Sequence, residues 1–361
     1  MNFDIMRRIS IAAFSNDYQE ARQKFLSAVP GARPYPSAAK GPSGDDLFTD
    51  VSYFGPSDAK KLLVLVSGTH GVEGYCGSAA QLLFIESKLH EQLPPSTAVL
   101  IVHALNCYGF AWDRRVTAEG VDLNRNFVDF AKPLPQNVGY EALSDHVVPA
   151  DLSDEGLRCA EAAIEAYKTT HGQAAYMQAR MGGQYTRPGG LFYGGTAPTE
   201  ARLTLERIVT EFEVAAREQV IIVDYHTGLG PYGYGEVQCE QPSGIDGYER
   251  AVKAFGQSVT SPDFGTSSSV FIPGCVDAFW ERELADRHIY VALEFGTIPG
   301  RMVLRDDHWL FKYRPEEADT DLGRSIRRAT KDYFYPEFPD WKEMVLWRSH
   351  QVHRQAIEAL S

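Results

Sequence analysis

A histidine and a glutamate three residues apart open the stretch of this sequence with the clearest potential for chemistry. The branched apolar run Leu62–Val66 ends at Ser67 and a glycine, and His70 and Glu73 follow. An apolar run that ends at Ser-Gly is typical of a buried strand leading into a loop. A neutral imidazole and a carboxylate are two of the three protein ligands in a His₂Glu zinc site. An H-x-x-E pair alone is more often an incidental part of a turn, so it needs support from elsewhere in the chain.

The same pattern, an apolar run followed by a polar residue and a glycine, recurs twice later in the chain. Val220–Val223 leads into Asp224, His226 and a glycine-rich loop, and Ile289–Leu293 leads into Glu294. We interpret Asp224 as a carboxylate whose hydrogen bonds are satisfied at the end of its strand. A glutamate among leucine, phenylalanine and glycine is costly to bury unless it is paired or catalytic. His226 and Glu294 are therefore further candidate site residues.

A third stretch, Trp112–Phe127, is rich in groups that bind anions and carbonyl oxygens. It contains Arg114, Arg115 and Arg125, interleaved with tryptophan, leucine and phenylalanine. Clustered arginines usually form a solvated surface. Here they lie in a loop-like segment after a predicted strand, which favours a binding site.

Four predicted strands must position these residues. If the sheet is mostly parallel, the carboxyl ends of its strands lie along one edge, and distant parts of the chain meet there. His70, Glu73 and His226 would then form a three-ligand set, with Glu294 as a free carboxylate beside it. Buried strands are predicted at 62–67, 98–103, 220–225 and 289–293, with an edge strand at 47–54. Helices are predicted at 17–29 with Asn16 as N-cap, 77–89, 152–168, 171–181, 198–217, 322–335 and 341–360, and loops at 30–44 and 185–195.

Composition limits the classes of partner. The chain has 361 residues and a net charge of −13, which argues against nucleic acid or an anionic membrane as the main partner. Five widely spaced cysteines without a C-x-x-C motif fit reduced thiols better than a disulfide framework. No apolar run approaches the roughly 20 residues that span a bilayer. We therefore expect a soluble, cytoplasmic protein with one catalytic domain, 1–361, whose residues 321–361 form a helical C-terminal extension.

The order of these motifs resembles that of the zinc carboxypeptidase (M14) superfamily. The matching elements are the H-x-x-E pair, the segment V-D-L-N-R-N-F at 121–127, a strand that ends in His226, and Glu294. The forms T-H-G-V-E-G and H-T-G-L-G resemble the branch that includes aspartoacylase and succinylglutamate desuccinylase. Bacterial DUF2817-type metallopeptidase-like proteins resemble the chain most, over roughly residues 47–300.

The resemblance implies a fold and a set of roles. The fold would be α/β, a twisted mixed sheet of about eight strands with helices on both faces. His70, Glu73 and His226 would hold one Zn²⁺ per chain, and Glu294 would be the general base. The remaining implied roles concern neighbouring polar groups. Arg114 or Arg115 would stabilise the oxyanion, and its spacing favours Arg115. Asn124 and Arg125 would bind the substrate carboxylate. Asp122 would orient a zinc histidine, expected to be His70.

Three functions are compatible with these features. The first is a zinc hydrolase of the metallocarboxypeptidase kind that cleaves an amide bond next to a free carboxylate. The second is an N-acyl amino acid deacylase, which gains support because the segment 251–288 lacks the mobile tyrosine of family carboxypeptidases. Tyr232 and Tyr234 could replace that tyrosine, but are interpreted as loop residues. The third is a non-catalytic descendant that binds a ligand or partner protein. The expected partner is a small molecule or short peptide with a free carboxylate, and a homo-oligomer is compatible with the sequence.

Overall fold

A mixed sheet of eight strands lies at the centre of the protein, whose computed structural model describes residues 12–241, 246–298 and 302–361. The order across the sheet is β1-β2-β4-β3-β5-β8-β6-β7. The strands are β1 (Arg33–Lys40), β2 (Asp46–Phe54), β3 (Lys61–Val66), β4 (Thr97–His103), β5 (Gln219–Tyr232), β6 (Gly235–Gln238), β7 (Val259–Thr260) and β8 (His288–Gly296).

The four central strands, β4, β3, β5 and β8, are parallel to one another. These are the four strands predicted to carry the site, and their carboxyl ends share one edge of the sheet. Antiparallel pairing joins β1 to β2, β2 to β4 and β6 to β8 on the two sides of this parallel centre. The prediction of a mixed α/β sheet is therefore confirmed.

Helices cover both faces of the sheet because the central strands alternate their apolar side chains between the two faces. Leu63 and Leu65 belong to a core formed with α2 (Gly74–Glu86) and α12 (Pro339–Ala359), whereas Leu62 and Val64 belong to a core formed with α7 (Glu200–Glu211) and α9 (Val276–Leu284). The helices are α1 (Tyr18–Ala28), α2 (Gly74–Glu86), α3 (Cys107–Ala111), α4 (Val138–Val147), α5 (Asp154–His171), α6 (Gln173–Met181), α7 (Glu200–Glu211), α8 (Gly247–Phe255), α9 (Val276–Leu284), α10 (Val303–Tyr313), α11 (Asp321–Phe334) and α12 (Pro339–Ala359).

The structure corrects several predicted boundaries. The segment 30–44, predicted as a loop, contains the edge strand β1. Its prolines are tolerated because an edge strand needs hydrogen-bond donors on one side only. The N-cap of α1 is Asp17, whose side chain accepts a hydrogen bond from the Glu20 N–H, and not Asn16. Helix α2 begins at Gly74, earlier than predicted, so it follows Glu73 directly.

None of the helices that the structure describes is long and apolar enough to cross a membrane.

Candidate metal centre

Strands β3, β5 and β8 bring three candidate ligands and a second glutamate together. His70 and Glu73 follow β3, with Glu73 in a short 3₁₀ turn that runs into α2. His226 on β5 and Glu294 on β8 are directly opposite each other in the parallel register. All four side chains are buried. His226 lies inside β5, which continues to Tyr232 beyond the predicted strand end, and the sheet register makes His226 and Glu294 neighbours.

The turn between His70 and Glu73 depends on the glycine between them. A Cβ atom on Gly71 would lie 2.1 Å from the backbone carbon of Gly109, which leaves no space for any other residue. The Gly71 N–H donates to the Arg115 carbonyl at 3.1 Å, and the Val72 N–H donates to the Arg114 carbonyl at 2.9 Å. This contact holds the arginine-rich segment directly against the two candidate ligands.

His70, Glu73 and His226 have the geometry of a metal-ligand set. One donor atom from each residue can be chosen so that all lie within 4.8 Å of one another. The His226 Nδ1 atom is 3.3 Å from Glu73 Oε2. Two imidazoles and one carboxylate form the donor set that catalytic zinc sites use, with a further coordination position left for water or substrate.

A second carboxylate lies behind each histidine. Asp122 Oδ1 is 3.4 Å from His70 Nδ1, and Asp224 Oδ2 is 3.1 Å from His226 Nε2. These two ring nitrogens make no hydrogen bond to any described residue, which leaves the carboxylates as their neighbours. Carboxylates in this position orient metal-binding histidines and raise their basicity. The chain therefore fits a metal in both its inner ligands and their supporting groups.

Electrostatics also favour a cation here. Although burial opposes protonation, Asp224 and Glu73 raise the pKa of His226 well above its usual value. Burial and the Arg115 charge lower the pKa of His70. The carboxylates buried around His226 thus favour a positive charge at this position. A bound divalent cation would supply this missing positive charge.

From the sequence, Asp224 is expected to be a satisfied carboxylate at a strand end, without a role in the site. In the structure it lies against His226, within the candidate metal centre. It also accepts hydrogen bonds from the Thr69 hydroxyl at 2.9 Å and the Tyr290 hydroxyl at 3.3 Å. The sequence does contain a signal for this position. Residues i and i+2 of a strand point to the same face, so an Asp-x-His pattern puts carboxylate and imidazole together.

The two candidate arginines for oxyanion stabilisation have different environments. Arg115 Nη1 donates to Glu73 Oε1 at 2.8 Å, its Nη2 to His70 Nε2 at 2.6 Å, and its Nε to Asp122 at 2.9 Å. Arg114 instead forms a buried ion pair with Asp307 at 2.9 Å and stacks on Phe311. Of the two candidates the structure favours Arg115, because Arg115 lines the cavity beside the ligand set and Arg114 does not.

Replacing Arg114 by methionine is expected to destabilise the fold and spare the site. The change leaves the fully buried Asp307 without its partner, and an unpaired buried charge costs about 3–5 kcal/mol. Urea denaturation of the variant measures this loss. The double variant Arg114→Met/Asp307→Leu, which removes both charges, should recover much of it. If Arg114→Met instead kept normal stability and lost most of its activity, Arg114 would have a role in the site.

Asn124 and Arg125 line the same cavity as the ligand set. The Asn124 Oδ1 atom accepts a hydrogen bond from the Val276 N–H at 2.8 Å, which fixes the orientation of its amide. Arg125 donates to the carbonyls of Met181 and Asn124, and its Nε has no partner among the described residues. Its guanidinium lies over the Phe192 ring. Both residues are thus held rigidly and retain unused donors.

Glu294 faces the cavity beside the ligands. Its Oε1 atom accepts a hydrogen bond from the Leu229 N–H at 2.9 Å. Burial, followed by the negative charge of Glu73, raises the pKa of Glu294 to about 8. A carboxyl group with a raised pKa is suited to accept and return a proton near neutral pH.

The cavity over these residues has a volume of about 190 Å³. The predicted loop at 185–195 contributes Phe192, and helix α6 contributes Arg180. Helix α11 contributes Tyr333. It belongs to the helical C-terminal extension, 321–361, in which the sequence shows no cluster of site-like residues. Tyr232 and Tyr234 do not line the cavity. No pattern in the sequence points to Arg180 or Tyr333, which reach the site only through helix packing.

Three solved structures of other proteins with a similar fold carry a named activity. Carboxypeptidase A from Helicoverpa armigera is 13% identical with a TM-score of 0.45, over 91% of this chain and 80% of that one. Succinylglutamate desuccinylase from Chromobacterium violaceum is 14% identical with a TM-score of 0.38, over 90% and 76%. Metallo-carboxypeptidase from Burkholderia cenocepacia is 11% identical with a TM-score of 0.44, over 96% and 70%. Similarity at this level assigns no activity to the chain.

Comparison with known sequences identifies the family. No curated protein matches the chain significantly. The family described as "Protein of unknown function (DUF2817)" matches residues 14–348, which include every candidate site residue. The family expected from the motifs is thus confirmed, and the chain belongs to the DUF2817 family.

Proposed function

We propose that this protein is a zinc-dependent hydrolase that cleaves an amide bond adjacent to a free carboxylate. One observation carries the proposal: His70, His226, Glu294, Asn124 and Arg125 all line a single cavity. A metal-ligand set, a buried carboxyl group and an unpaired carboxylate-binding arginine are the parts that such a hydrolysis needs.

The residues of the chain have separate tasks in this reaction. Arg125 and the Asn124 amide bind the substrate carboxylate and fix the scissile bond over the ligand set. Glu294 accepts a proton from the attacking water and returns it to the leaving amine. Arg115 stabilises the negative charge that develops on the carbonyl oxygen. Zn²⁺ held by His70, Glu73 and His226 would supply Lewis acidity and lower the pKa of water.

The proposal has a second form, an N-acyl amino acid deacylase. The segment 251–288 has no tyrosine, and Tyr232 and Tyr234 lie away from the cavity. Both forms use the same groups and differ only in what is attached to the acyl side of the bond. A non-catalytic binding role is less favoured because Glu294 beside a ligand set has no use in simple binding. The expected partner is a small substrate or short peptide with a free carboxylate, and the cytoplasmic location stays a prediction.

Product analysis distinguishes the forms. Zinc-loaded protein is incubated with short peptides and with N-acetyl and N-succinyl amino acids, and products are identified by mass spectrometry. Release of a C-terminal residue supports the carboxypeptidase form, and release of a free amino acid from acyl substrates supports the deacylase form. The same substrates with an amidated carboxylate are the control and should be poor. If no substrate of either kind is hydrolysed, the proposed function is wrong.

A further inference from the structure

Arg180 on helix α6 is a cavity arginine without an anionic partner among the described residues. Its side chain is half-buried and lines the cavity beside the candidate metal centre. Its Nη2 atom lies 3.8 Å from the Met302 sulfur, and its Nε is buried with no hydrogen-bond partner in the described part of the chain. A thioether is a weak acceptor, so the guanidinium is poorly satisfied.

The other arginines of the cavity already have defined contacts. Arg115 is paired with Glu73 and Asp122, and Arg125 is held by two backbone carbonyls. Arg180 forms no ion pair with any carboxylate in residues 12–241, 246–298 and 302–361. A partly desolvated guanidinium without a counter-charge costs free energy, and its planar fork is suited to a carboxylate. Arg180 is therefore a second candidate position for an anion in this cavity.

Tyr333 provides a second hydrogen-bond donor on this side of the cavity. Burial raises the pKa of Tyr333, and the nearby positive charge of Arg180 opposes that rise. Its hydroxyl donates to the Gly228 carbonyl over a long 3.3 Å, a bond that a better acceptor could replace.

Among the described residues, two acidic ones, Glu240 and Glu294, line the cavity. Glu294 accepts a hydrogen bond from the Leu229 N–H. Burial and Asp277 raise the pKa of Glu240, whereas Cys275, His226 and Arg125 oppose that rise. Neither carboxyl forms an ion pair with Arg180, and the Glu240 Oε2 atom has no hydrogen-bond partner in the described part of the chain. A carboxylate at Arg180 would thus meet a cation that forms no ion pair with either of these acids.

We propose that Arg180, assisted by the Tyr333 hydroxyl, binds a second carboxylate of the substrate, so that the preferred substrates are amides with two carboxylates. The inference rests on the proposed function, since Arg125 would bind the first carboxylate. The second carboxylate can belong to an acidic side chain of the released amino acid or to a dicarboxylic acyl group. The two sources share the same recognition chemistry.

Matched substrate pairs distinguish the two sources. The first pair is N-acetyl-glutamate and N-acetyl-glutamine, and the second is N-succinyl-alanine and its succinamoyl analogue. We expect kcat/KM to favour the charged member of one pair by about tenfold or more, since an unpaired partner group is costly. The pair that shows the preference identifies where the second carboxylate lies.

Variants of Arg180 test its role. In Arg180→Gln the preference for the charged substrate should disappear, while kcat/KM for the uncharged member changes little. Arg180→Lys should retain part of the preference because it keeps the charge. Arg187→Gln is the matched control, since Arg187 is exposed, paired with Glu141 and absent from the cavity. An equal loss on both members of a pair would indicate a merely structural role and overturn the inference.

A binding measurement separates failure of this inference from failure of the proposed function. Calorimetric titration of zinc-loaded protein with glutarate and with butyrate needs no turnover. Glutarate should bind more tightly than butyrate by a factor of about ten or more, and Arg180→Gln should remove this difference. Hydrolysis without charge preference would refute the inference alone. Tighter glutarate binding without hydrolysis of any substrate would refute the proposed function alone, and equal binding of both acids would refute the role of Arg180.

Discussion

Replacing His226 by alanine is expected to reduce bound zinc from about one ion per chain to almost none, and to abolish hydrolysis with it. His226 is one of the two imidazoles in the ligand set, and Glu73 and His70 alone leave a weak two-ligand site. Elemental analysis of the purified variant measures the metal. His70→Ala should behave in the same way.

The supporting carboxylate provides a graded comparison. Asp224→Asn keeps the shape of the side chain but removes the charge 3.1 Å from His226 Nε2. We expect zinc affinity to fall by about 10–100-fold, which is less than the loss in His226→Ala. His90→Gln is the control, because His90 lies outside the cavity and the ligand set. Full zinc content in both His226→Ala and His70→Ala would rule out the proposed centre.

Replacing Glu294 by glutamine is expected to lower kcat by about two to four orders of magnitude while zinc content stays unchanged. The amide has nearly the shape of the carboxyl group but cannot accept a proton from water. The separation of activity from metal content distinguishes a proton-transfer role from a ligand role. Glu236→Gln is the matched control. Glu236 lies opposite Glu294 in the register of the neighbouring strands β6 and β8, but its side chain does not line the cavity. Unchanged turnover in Glu294→Gln would exclude it as the base.

The same variant has an expected effect on stability in metal-free protein. Burial and Glu73 raise the pKa of Glu294 from 4.5 to about 8, so the folded state keeps a proton that the unfolded chain releases in this range. The wild type therefore loses stability as pH rises from about 4.5 to about 8. Glu294→Gln has no such proton and should become more stable than wild type over this interval. Urea denaturation at pH 4.5 and pH 8 tests whether the difference grows with pH.

Local signals in the sequence are strong enough to predict the centre of the fold. Long branched apolar runs that end at glycine are typical of buried strands, and parallel strands present their carboxyl ends at one edge. These two rules place His226 and Glu294 near His70 from the amino-acid pattern alone, and the strand register agrees with them. The prediction of a loop at 30–44 is wrong because prolines and glycines are also compatible with a strand at the sheet edge.

Spacing in the sequence favours Arg115 over Arg114 but does not decide between these neighbouring arginines. Arg114 and Arg115 adjoin in the chain, yet one pairs with Asp307 on α10 and the other contacts Glu73. A loop has no fixed periodicity, so the direction of each side chain depends on the partner that packing supplies. Asp307 is far away in sequence, and nothing in its local pattern marks it as that partner.

Short-range patterns in the chain predict the parallel centre of the sheet in outline, the candidate ligands and the candidate base, because each of these follows an apolar run typical of a buried strand. Only the folded chain shows which arginine faces the ligands and that Arg180 and Tyr333 line the cavity. These contacts bring α6, α11 and the loop of Arg115 to one cavity, and packing at such long sequence separation leaves no local trace in the residues that take part.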